Sequence, residues 1–148
     1  GSPGASHLLS PEEKRFMKIH EYQAKELLSQ FGVPTPKGIV VNNADEAVEA
    51  FRSSGRGVAV IKAQVHAGGR GKGGGVKVVK SEKECRDEAA RILGNPLITP
   101  QTGPAGVQVR KLLVEEVSDI KHEYYLAVTL DRAAQLPVVM ASREGGME

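Results

Sequence analysis

The segment from Gly68 to Gly75 has the residue types that bind phosphate. Six of its eight residues are glycine, and Arg70 and Lys72 are interleaved with them. Glycine lets backbone N–H groups approach a ligand closely, in conformations that a side chain would forbid, although it makes folding entropically more costly. Such N–H groups, together with two cationic side chains, suit an anion. The pattern predicts a loop that covers phosphate groups; the alternative is a flexible hairpin with solvated charges.

Three known glycine motifs fit this segment incompletely. A P-loop has Ser or Thr after Gly-Lys and then a helix, whereas Gly73 and a predicted strand follow Lys72. Gly69, Gly71 and Gly74 match the dinucleotide pattern, but no helix opens at the third glycine. The protein-kinase loop also matches, but no D-F-G or H-R-D sequence follows it. A phosphate-covering glycine loop between two strands remains.

Lys62 is the second candidate for phosphate binding. It lies near the end of an otherwise apolar predicted strand, Val58 to Ala63. Burying a lysine is costly unless an anion pairs with it, and a bound triphosphate is a natural partner. The alternative is a lysine at a strand end that reaches solvent along its aliphatic chain.

Charge is distributed unevenly although the net charge is only +2. Residues 51–80 contain seven Lys or Arg and no Asp or Glu, which attracts phosphate in a small nucleotide or a nucleic acid. Aromatic side chains for base stacking are scarce, which weighs against nucleic acid. The sign reverses downstream at four acidic residues, which alone would be typical of exposed strand ends: Glu115, Glu116, Asp119 and Glu123.

The predicted elements alternate between helices and strands. Apolar spacing predicts three helices: one over residues 17–31, one that starts at Asn43 and one that starts at Ser81. Asn43 and Ser81 are each predicted to cap their helix, because a Glu lies three residues further along. Strands are predicted at 39–41, 58–63, 76–79, 111–117, 124–130 and 137–141, the last two as a hairpin, with 95–106 as a connection. This is an α+β or mixed α/β layout.

Composition argues against a disulfide, a zinc site and a membrane span. Aromatics make up 4% of the residues, so the core must be aliphatic. Cys85 is the only cysteine, which excludes an intrachain disulfide and favours a reducing compartment. The four histidines have no ligand spacing for zinc. No apolar run approaches the roughly 20 residues that span a bilayer, so we expect no membrane partner.

Several segments together resemble a known family. Residues 17–25 read MKIHEYQAK and residues 60–72 read VIKAQVHAGGRGK. These runs, with LVE at 113–115, YYL at 124–126 and SREGG at 142–146, resemble the β subunits of ADP-forming succinyl-CoA synthetases. The resemblance covers residues 17–148, and the segment from the lysine to the loop is its most specific part.

The resemblance implies an α+β, ATP-grasp fold, in which two lobes hold Mg-ATP between them. Residues 1–16 would be a tag or linker, and 17–35 the N-terminal helix of the larger lobe. Residues 36–130 would form the small lobe, a mixed sheet with flanking helices, and 131–148 the truncated start of the second lobe.

The resemblance also assigns roles by position. Lys62 would contact phosphate, and Gly69, Arg70 and Gly71 would belong to the loop over the nucleotide. Glu115 and Ser118 would lie by the adenine, and Glu123 would reach the nucleotide at its ribose. Pro36 would influence the choice of ATP over GTP. No catalytic residue and no metal ligand is expected within these residues; the Mg²⁺ ligands are expected beyond Glu148.

The family's reaction belongs to the tricarboxylic acid cycle. ATP, succinate and CoA give succinyl-CoA, ADP and phosphate, through an acyl phosphate and a phosphohistidine on a partner α subunit. Because the chain stops before the second lobe is complete, we expect it to be inactive alone and capable of self-association through the unfinished lobe. A bacterial cytoplasmic or mitochondrial matrix location is expected.

Two alternatives remain open. A malate–CoA ligase or citrate-lyase-type β subunit would share these residues, because acid specificity lies outside them. A non-catalytic phosphate-binding module is the alternative of another class.

Overall fold

Three helices and eight strands form the described part of the chain, residues 18–145 of a computed structural model. The helices are α1 (Glu21–Gln30), α2 (Ala44–Ser54) and α3 (Glu82–Gly94). The strands are β1 (Gly38–Val41), β2 (Ala59–Ala63), β3 (Val76–Val79), β4 (Pro96–Leu97), β5 (Val107–Gln108), β6 (Leu112–Glu115), β7 (Tyr125–Asp131) and β8 (Leu136–Ser142). No helix in this part of the chain is long and apolar enough to span a membrane.

The main sheet has four strands in the order β1-β6-β2-β3. Every neighbouring pair is antiparallel, so the expectation of a mixed sheet was wrong. The crossover from β1 through α2 to β2 makes these two strands parallel to each other. However, β6 lies between them and runs opposite to both. The α+β class is confirmed, and the late strand β6 completes the sheet.

The core lies between this sheet and the helices α2 and α3, which pack against each other. Alternate residues of β2 are buried on that side, Ala59, Ile61 and Ala63. The helices contribute small and aliphatic side chains, with Phe51 as the buried aromatic ring of the cluster. Cys85 of α3 is fully buried there. Lys62 therefore points away from the core, because it alternates with the buried residues.

Side-chain caps fix the start of two helices where they were predicted. The Asn43 side chain accepts a hydrogen bond from the backbone N–H of Glu46 at 2.9 Å. The Ser81 hydroxyl accepts one from the N–H of Glu84 at 3.1 Å. Each cap satisfies a backbone donor that the first helical turn leaves free.

The first helix begins later than predicted. His20 has extended backbone angles, and its N–H donates to the Gln23 side chain at 2.8 Å, so the described helix starts at Glu21. The expected start at residue 17 lies outside the described residues. None of the ten residues of α1 is buried, and Phe31, the C-cap residue that follows them, is 85% exposed.

Two small sheets complete the described part. The strand β4, within the predicted connection 95–106, pairs with β5 directly after it, a pairing too short for apolar periodicity to reveal. The predicted hairpin is confirmed, because β7 and β8 pair in an antiparallel register from Tyr125–Ser142 to Asp131–Leu136. The domain division stays a prediction, and its boundary between residues 130 and 131 would fall inside this hairpin.

Candidate functional site

The candidate site lies on the face of the main sheet opposite to α2 and α3. In the register of β2 and β6, Lys62 is opposite Leu113 and Val60 is opposite Glu115. Directly opposed residues share a face, so Lys62 and Glu115 are diagonal neighbours on it. The first turn of α1 lies against the same face, since the Tyr22 N–H donates to the Gln64 side chain at 3.1 Å.

Five charged residues form an ionic cluster on this face: Glu21, Lys25, Lys62, Arg70 and Glu115. Lys62 Nζ lies 2.8 Å from Glu115 Oε1 and 3.1 Å from Glu21 Oε1. Lys25 Nζ lies 3.0 Å from Glu21 Oε1 and also pairs with Glu115 Oε2. Arg70 Nη1 lies 2.7 Å from Glu21 Oε2. Each carboxylate is thus shared between cations from different segments.

Burial and ion pairing have opposite effects on the pKa values of Glu21 and Lys62. Burial alone would raise the pKa of Glu21, but Lys25, Arg70 and Lys62 outweigh it and lower that pKa to about 2. Burial would lower the pKa of Lys62, but Glu115 and Glu21 outweigh it and the pKa is raised. Both groups are therefore charged at neutral pH and interact as ions.

The buried side-chain amide of Gln64 forms a hydrogen bond to the ionic cluster. Gln64 is 3% exposed, and its Nε2 donates to the Lys62 carbonyl at 3.2 Å and to Glu21 Oε2 at 3.4 Å. Its Oε1 accepts the Tyr22 N–H. The amide thereby links the end of β2 to the first turn of α1.

The glycine loop folds on itself through backbone hydrogen bonds. The N–H groups of Gly73, Gly74 and Gly75 donate to carbonyls of Gly69, Gly71 and Arg70 at 2.8–3.1 Å. Within residues 18–145, the N–H groups of residues 69–72 have no such partner. These four donors include Gly69, Arg70 and Gly71, the positions expected over the nucleotide. They are available to an anion.

The loop is supported by the connection that contains β4. A Cβ on Gly73 would overlap the Ile98 carbonyl oxygen, and one on Gly75 would press on the Leu97 side chain. The Gly68 N–H donates to the Gln101 side chain at 2.7 Å. Gly73 and Gly75 are therefore required for this close packing. This corrects the interpretation that every glycine of the loop is there to let backbone N–H groups approach a phosphate.

Two side chains hold the ends of the loop. Arg70 Nη1 donates to the Ala63 carbonyl at 2.7 Å, so the arginine bridges the loop, β2 and Glu21. Arg91 of α3 donates to the Gly74 carbonyl at 2.7 Å. The segment does connect two strands paired as an antiparallel hairpin, β2 and β3. Of its two charges, Arg70 is held by these contacts, whereas Lys72 is exposed.

A cavity of about 490 Å³ lies beside the loop. Its lining includes the loop residues 68–72, together with Val65, Ala67, Val76 and the carboxylate residue Glu21. The residues with the four free N–H groups, 69–72, all line the cavity, and Arg70 and Lys72 are among them. The cavity suits a phosphate chain by its donors and its charge.

A second cavity, of about 680 Å³, lies between α1 and the sheet. Pro36, Lys25 and Glu115 line it, together with Tyr22 and Leu113. Glu115 borders this cavity and contacts Lys62, so it connects the predicted base region with the predicted phosphate region. The assignment of Pro36 to base selection stays a prediction.

The structure does not bring Ser118 and Glu123 to the ionic cluster. Both are exposed in the connection between β6 and β7. Glu123 packs instead against Gly145, where an added Cβ would overlap its backbone and side chain. Their nucleotide contacts stay predictions.

Tertiary pairing changes the charge pattern read from the sequence. Arg52 pairs with Glu82 at 2.8 Å, and Arg56 with Glu116 at 3.1 Å. Glu115, which the charge pattern alone favoured as an exposed strand end, is 3% exposed. The basic stretch is thus partly neutralised, and its cations without an ion pair within residues 18–145 are Lys72, Lys77 and Lys80.

Three residues of the site had no predicted role: Glu21, Lys25 and Gln64. Glu21 and Lys25 lie within the run that carries the family resemblance, and their i, i+4 spacing signals an ion pair. Gln64 directly follows an apolar strand. Nothing in the sequence indicates that all three meet Lys62, because this requires α1 to lie on the sheet.

Histidines lie at the edge of the site without forming a metal centre. The rings of His20 and His66 stack with centroids 4.0 Å apart. Burial, reinforced by His66, Lys111 and Arg70, lowers the pKa of His20. No three His, Cys, Asp or Glu side chains within residues 18–145 are grouped to hold a metal ion.

Known proteins resemble this chain in sequence. The ATP-grasp domain family matches residues 18–148. The β subunit of the ADP-forming succinate–CoA ligase of Sulfurovum sp. is 56% identical over 88% of this chain and 34% of its own length. That of Azoarcus sp. is 59% identical over 89% of this chain and 34% of its own length. The resemblance to these β subunits is confirmed, and the chain spans about a third of their length.

Solved structures share the fold. The dinucleotide-forming acetyl-coenzyme A synthetase 1 of Ca. Korarchaeum cryptofilum superposes with a TM-score of 0.65 and 25% identity. The match covers 86% of this chain and 54% of that chain. Phosphoribosylamine–glycine ligase of Thermotoga maritima superposes with a TM-score of 0.56 and 20% identity. That match covers 81% of this chain and 27% of the ligase chain, and it shows the fold alone.

Proposed function

Because the chain belongs to the ATP-grasp family, we propose that it binds the phosphates of ATP as the nucleotide-binding part of an acid–CoA ligase. The observation that carries this proposal is the glycine loop. Its four free N–H groups and Arg70 line one cavity, and Lys62 lies in the same ionic cluster as Arg70. Oriented N–H groups and fixed cations stabilise the charge of a transferring phosphoryl group without reorganisation.

The proposed reaction is the one for which the relatives are named, that of an ADP-forming succinate–CoA ligase. Succinate, CoA and ATP would give succinyl-CoA, ADP and phosphate, through an acyl phosphate and a phosphohistidine on a partner α subunit. The residues of this chain would contribute positioning and charge neutralisation. Lys62 and Arg70 would hold phosphate oxygens, and Gly69 and Gly71 would offer N–H groups.

Other components would come from outside this chain. We propose that Mg²⁺ is held by residues beyond Glu148 and neutralises the phosphates when bound. Since the chain spans about a third of its relatives, the proposal also holds that it has no CoA-dependent ATP turnover alone. The proposed location is the bacterial cytoplasm or the mitochondrial matrix.

The Lys62→Ala change tests the phosphate assignment. It should weaken ATP binding by about 10-fold or more, since a charge-assisted hydrogen bond contributes roughly 1.5–3 kcal/mol. Isothermal titration calorimetry of ATP against the chain measures the affinity. Lys77→Ala removes the same charge from the neighbouring strand β3, where Lys77 is opposite Ile61 on the core side. It should leave the affinity within twofold, and equal losses in both variants would contradict the assignment.

A further inference from the structure

The cavity beside the glycine loop already contains an anion. The Glu21 carboxylate lines it, with Oε1 at 3.0 Å from Lys25 Nζ and 3.1 Å from Lys62 Nζ. Its Oε2 lies 2.7 Å from Arg70 Nη1 and 3.4 Å from Gln64 Nε2. Three cations and an amide around one carboxylate form the donor set that a phosphate group would use.

We propose that Glu21 is an internal substitute for a nucleotide phosphate, which the incoming phosphate displaces from Lys62 and Arg70. This inference rests on the proposed function, because it takes Lys62 and Arg70 as phosphate ligands. It adds a regulatory contact to that site: the first turn of α1 competes with nucleotide for the same cations.

The charges of the cluster favour an exchange of one anion for another. With Glu21 in place, three cations face two carboxylates, a net charge of +1. Without Glu21, three cations face Glu115 alone, a net charge of +2. A phosphate group that entered beside Glu21 would meet its negative charge at hydrogen-bonding distance. Displacement removes this repulsion and frees the cations for the phosphate.

Glu21 and Glu115 differ in how firmly they are held. Glu115 belongs to the central strand β6 and is 3% exposed. Glu21 lies at the start of a helix that has no buried residue among its ten. The contacts of its first turn with the sheet are polar, namely the ion pairs and the bond from the Tyr22 N–H to Gln64. Glu21 can therefore leave without exposing the apolar core, whereas Glu115 stays and keeps Lys62 in place.

The Glu21→Gln change tests this competition. The neutral amide should compete less for Lys62 and Arg70, so inorganic tripolyphosphate and ATP should both bind about 10-fold more tightly, as expected for a charge-assisted contact. Calorimetry against the chain measures both affinities. Glu26→Gln is the matched control: Glu26 lies on the same helix, is exposed and makes no ion pair with any residue in 18–145. The control should change tripolyphosphate affinity less than twofold.

The opposite result has a clear meaning. If Glu21 instead positions Lys62 and Arg70 for the phosphate, Glu21→Gln will weaken binding or leave it unchanged, and the competition is ruled out. A loss of binding in Lys62→Ala would still support the proposed function in that case. Equal tripolyphosphate affinity with and without Lys62 would instead overturn the proposed function, and with it the competition. If neither the unchanged chain nor any variant binds tripolyphosphate, both the proposed function and the competition are overturned.

A measurement on the unchanged chain is independent of any folding defect in the variants. Hydrogen exchange at the backbone amides of residues 21–25 should accelerate at least about threefold when tripolyphosphate is added, because the first turn of α1 loses its ionic contacts. Exchange of the β6 amides should not accelerate. Unchanged or slower exchange at 21–25 under saturating tripolyphosphate would rule out displacement.

Discussion

At the scale of single residues, the site depends on charges that are tolerated only because they are paired. A carboxylate as buried as Glu115, 3% exposed, is strongly disfavoured alone. Lys62 and Lys25 each pair with one of its oxygens, which compensates this penalty. The same pairing explains why Lys62 remains charged on a strand whose other face is core. Without Lys62, one oxygen of Glu115 would lose its ion pair while Lys25 still paired with the other.

Glu21 should make stability depend on pH in the acid range. Its folded-state pKa of about 2 lies below the ordinary value of 4.5. The ionised form is therefore stabilised in the folded chain, and this stability is present above pH 4.5 and is lost as the pH falls towards 2. The contribution is at most about 3 kcal/mol and smaller after solvent screening. Urea unfolding from pH 5 to pH 2.5 measures it.

The Glu21→Gln variant isolates this contribution from other acids. Its free energy of unfolding should fall less between pH 5 and pH 2.5 than that of the unchanged chain. Glu26→Gln should follow the unchanged chain, because the exposed Glu26 has no ion pair within residues 18–145. Parallel curves for the unchanged chain and Glu21→Gln would show that the ionic cluster does not stabilise the fold.

At the scale of elements, the glycine loop owes its shape to the connection beneath it. The short β4–β5 pair holds the segment from Leu97 onward. Gly73 and Gly75 pack against that segment more closely than any side chain would allow. The N–H groups of residues 69–72 have no backbone partner within residues 18–145. Gly69 also lies against the connection, at Pro100, whereas an added Cβ on Gly71 would meet nothing.

Substituting two glycines of the loop should separate packing from ligand approach. Gly73→Ala should lower the free energy of unfolding by about 1–3 kcal/mol, because the new Cβ overlaps the Ile98 carbonyl oxygen and the loop must shift. Gly71→Ala places its Cβ in open space and should change stability by less than about 0.5 kcal/mol. Urea denaturation compares them. Equal effects at both positions would mean that the loop does not rest on the connection.

At the scale of the whole molecule, large apolar side chains are exposed at several places, among them the end of α1 and the β7–β8 hairpin. The helix α1 exposes Leu27 and Leu28, and Phe31 directly after it is exposed as well. In the hairpin, all but one of the seven residues of β7 and all seven of β8 are exposed. They include Leu126 and Val128 at 70% each, and Val139. Contiguous apolar surface and unpaired strand edges favour association. These surfaces support the expectation that copies of the chain associate through the hairpin.

Self-association should be visible in sedimentation velocity at increasing protein concentration. The average sedimentation coefficient should rise with concentration for the unchanged chain. Val128→Lys should reduce that rise, because a charge in the middle of β7 opposes pairing with a second copy. Ile120→Lys is the control, since Ile120 is 64% exposed but lies outside the hairpin. A constant coefficient for the unchanged chain, or equal behaviour of the two variants, would contradict association through the hairpin.

The sequence by itself determined the features that depend on near neighbours. The caps at Asn43 and Ser81 involve residues three positions apart, and the structure has both helices starting there. The glycine loop, the apolar β2 and the β7–β8 hairpin follow likewise from composition and period over short windows. These signals were sufficient for the α+β class and for the position of Lys62 beside a phosphate-type loop.

Only the tertiary structure decided which distant residues meet. Lys62 contacts Glu21 across 41 positions and Glu115 across 53. Both contacts depend on β6 entering between β1 and β2 and on α1 lying over the free face of the sheet. Strand order is set by the burial of the whole core, which no local pattern encodes. For that reason the sequence predicted Lys62 and Arg70 as phosphate-binding cations, whereas only the fold showed that the Glu21 carboxylate pairs with both of them.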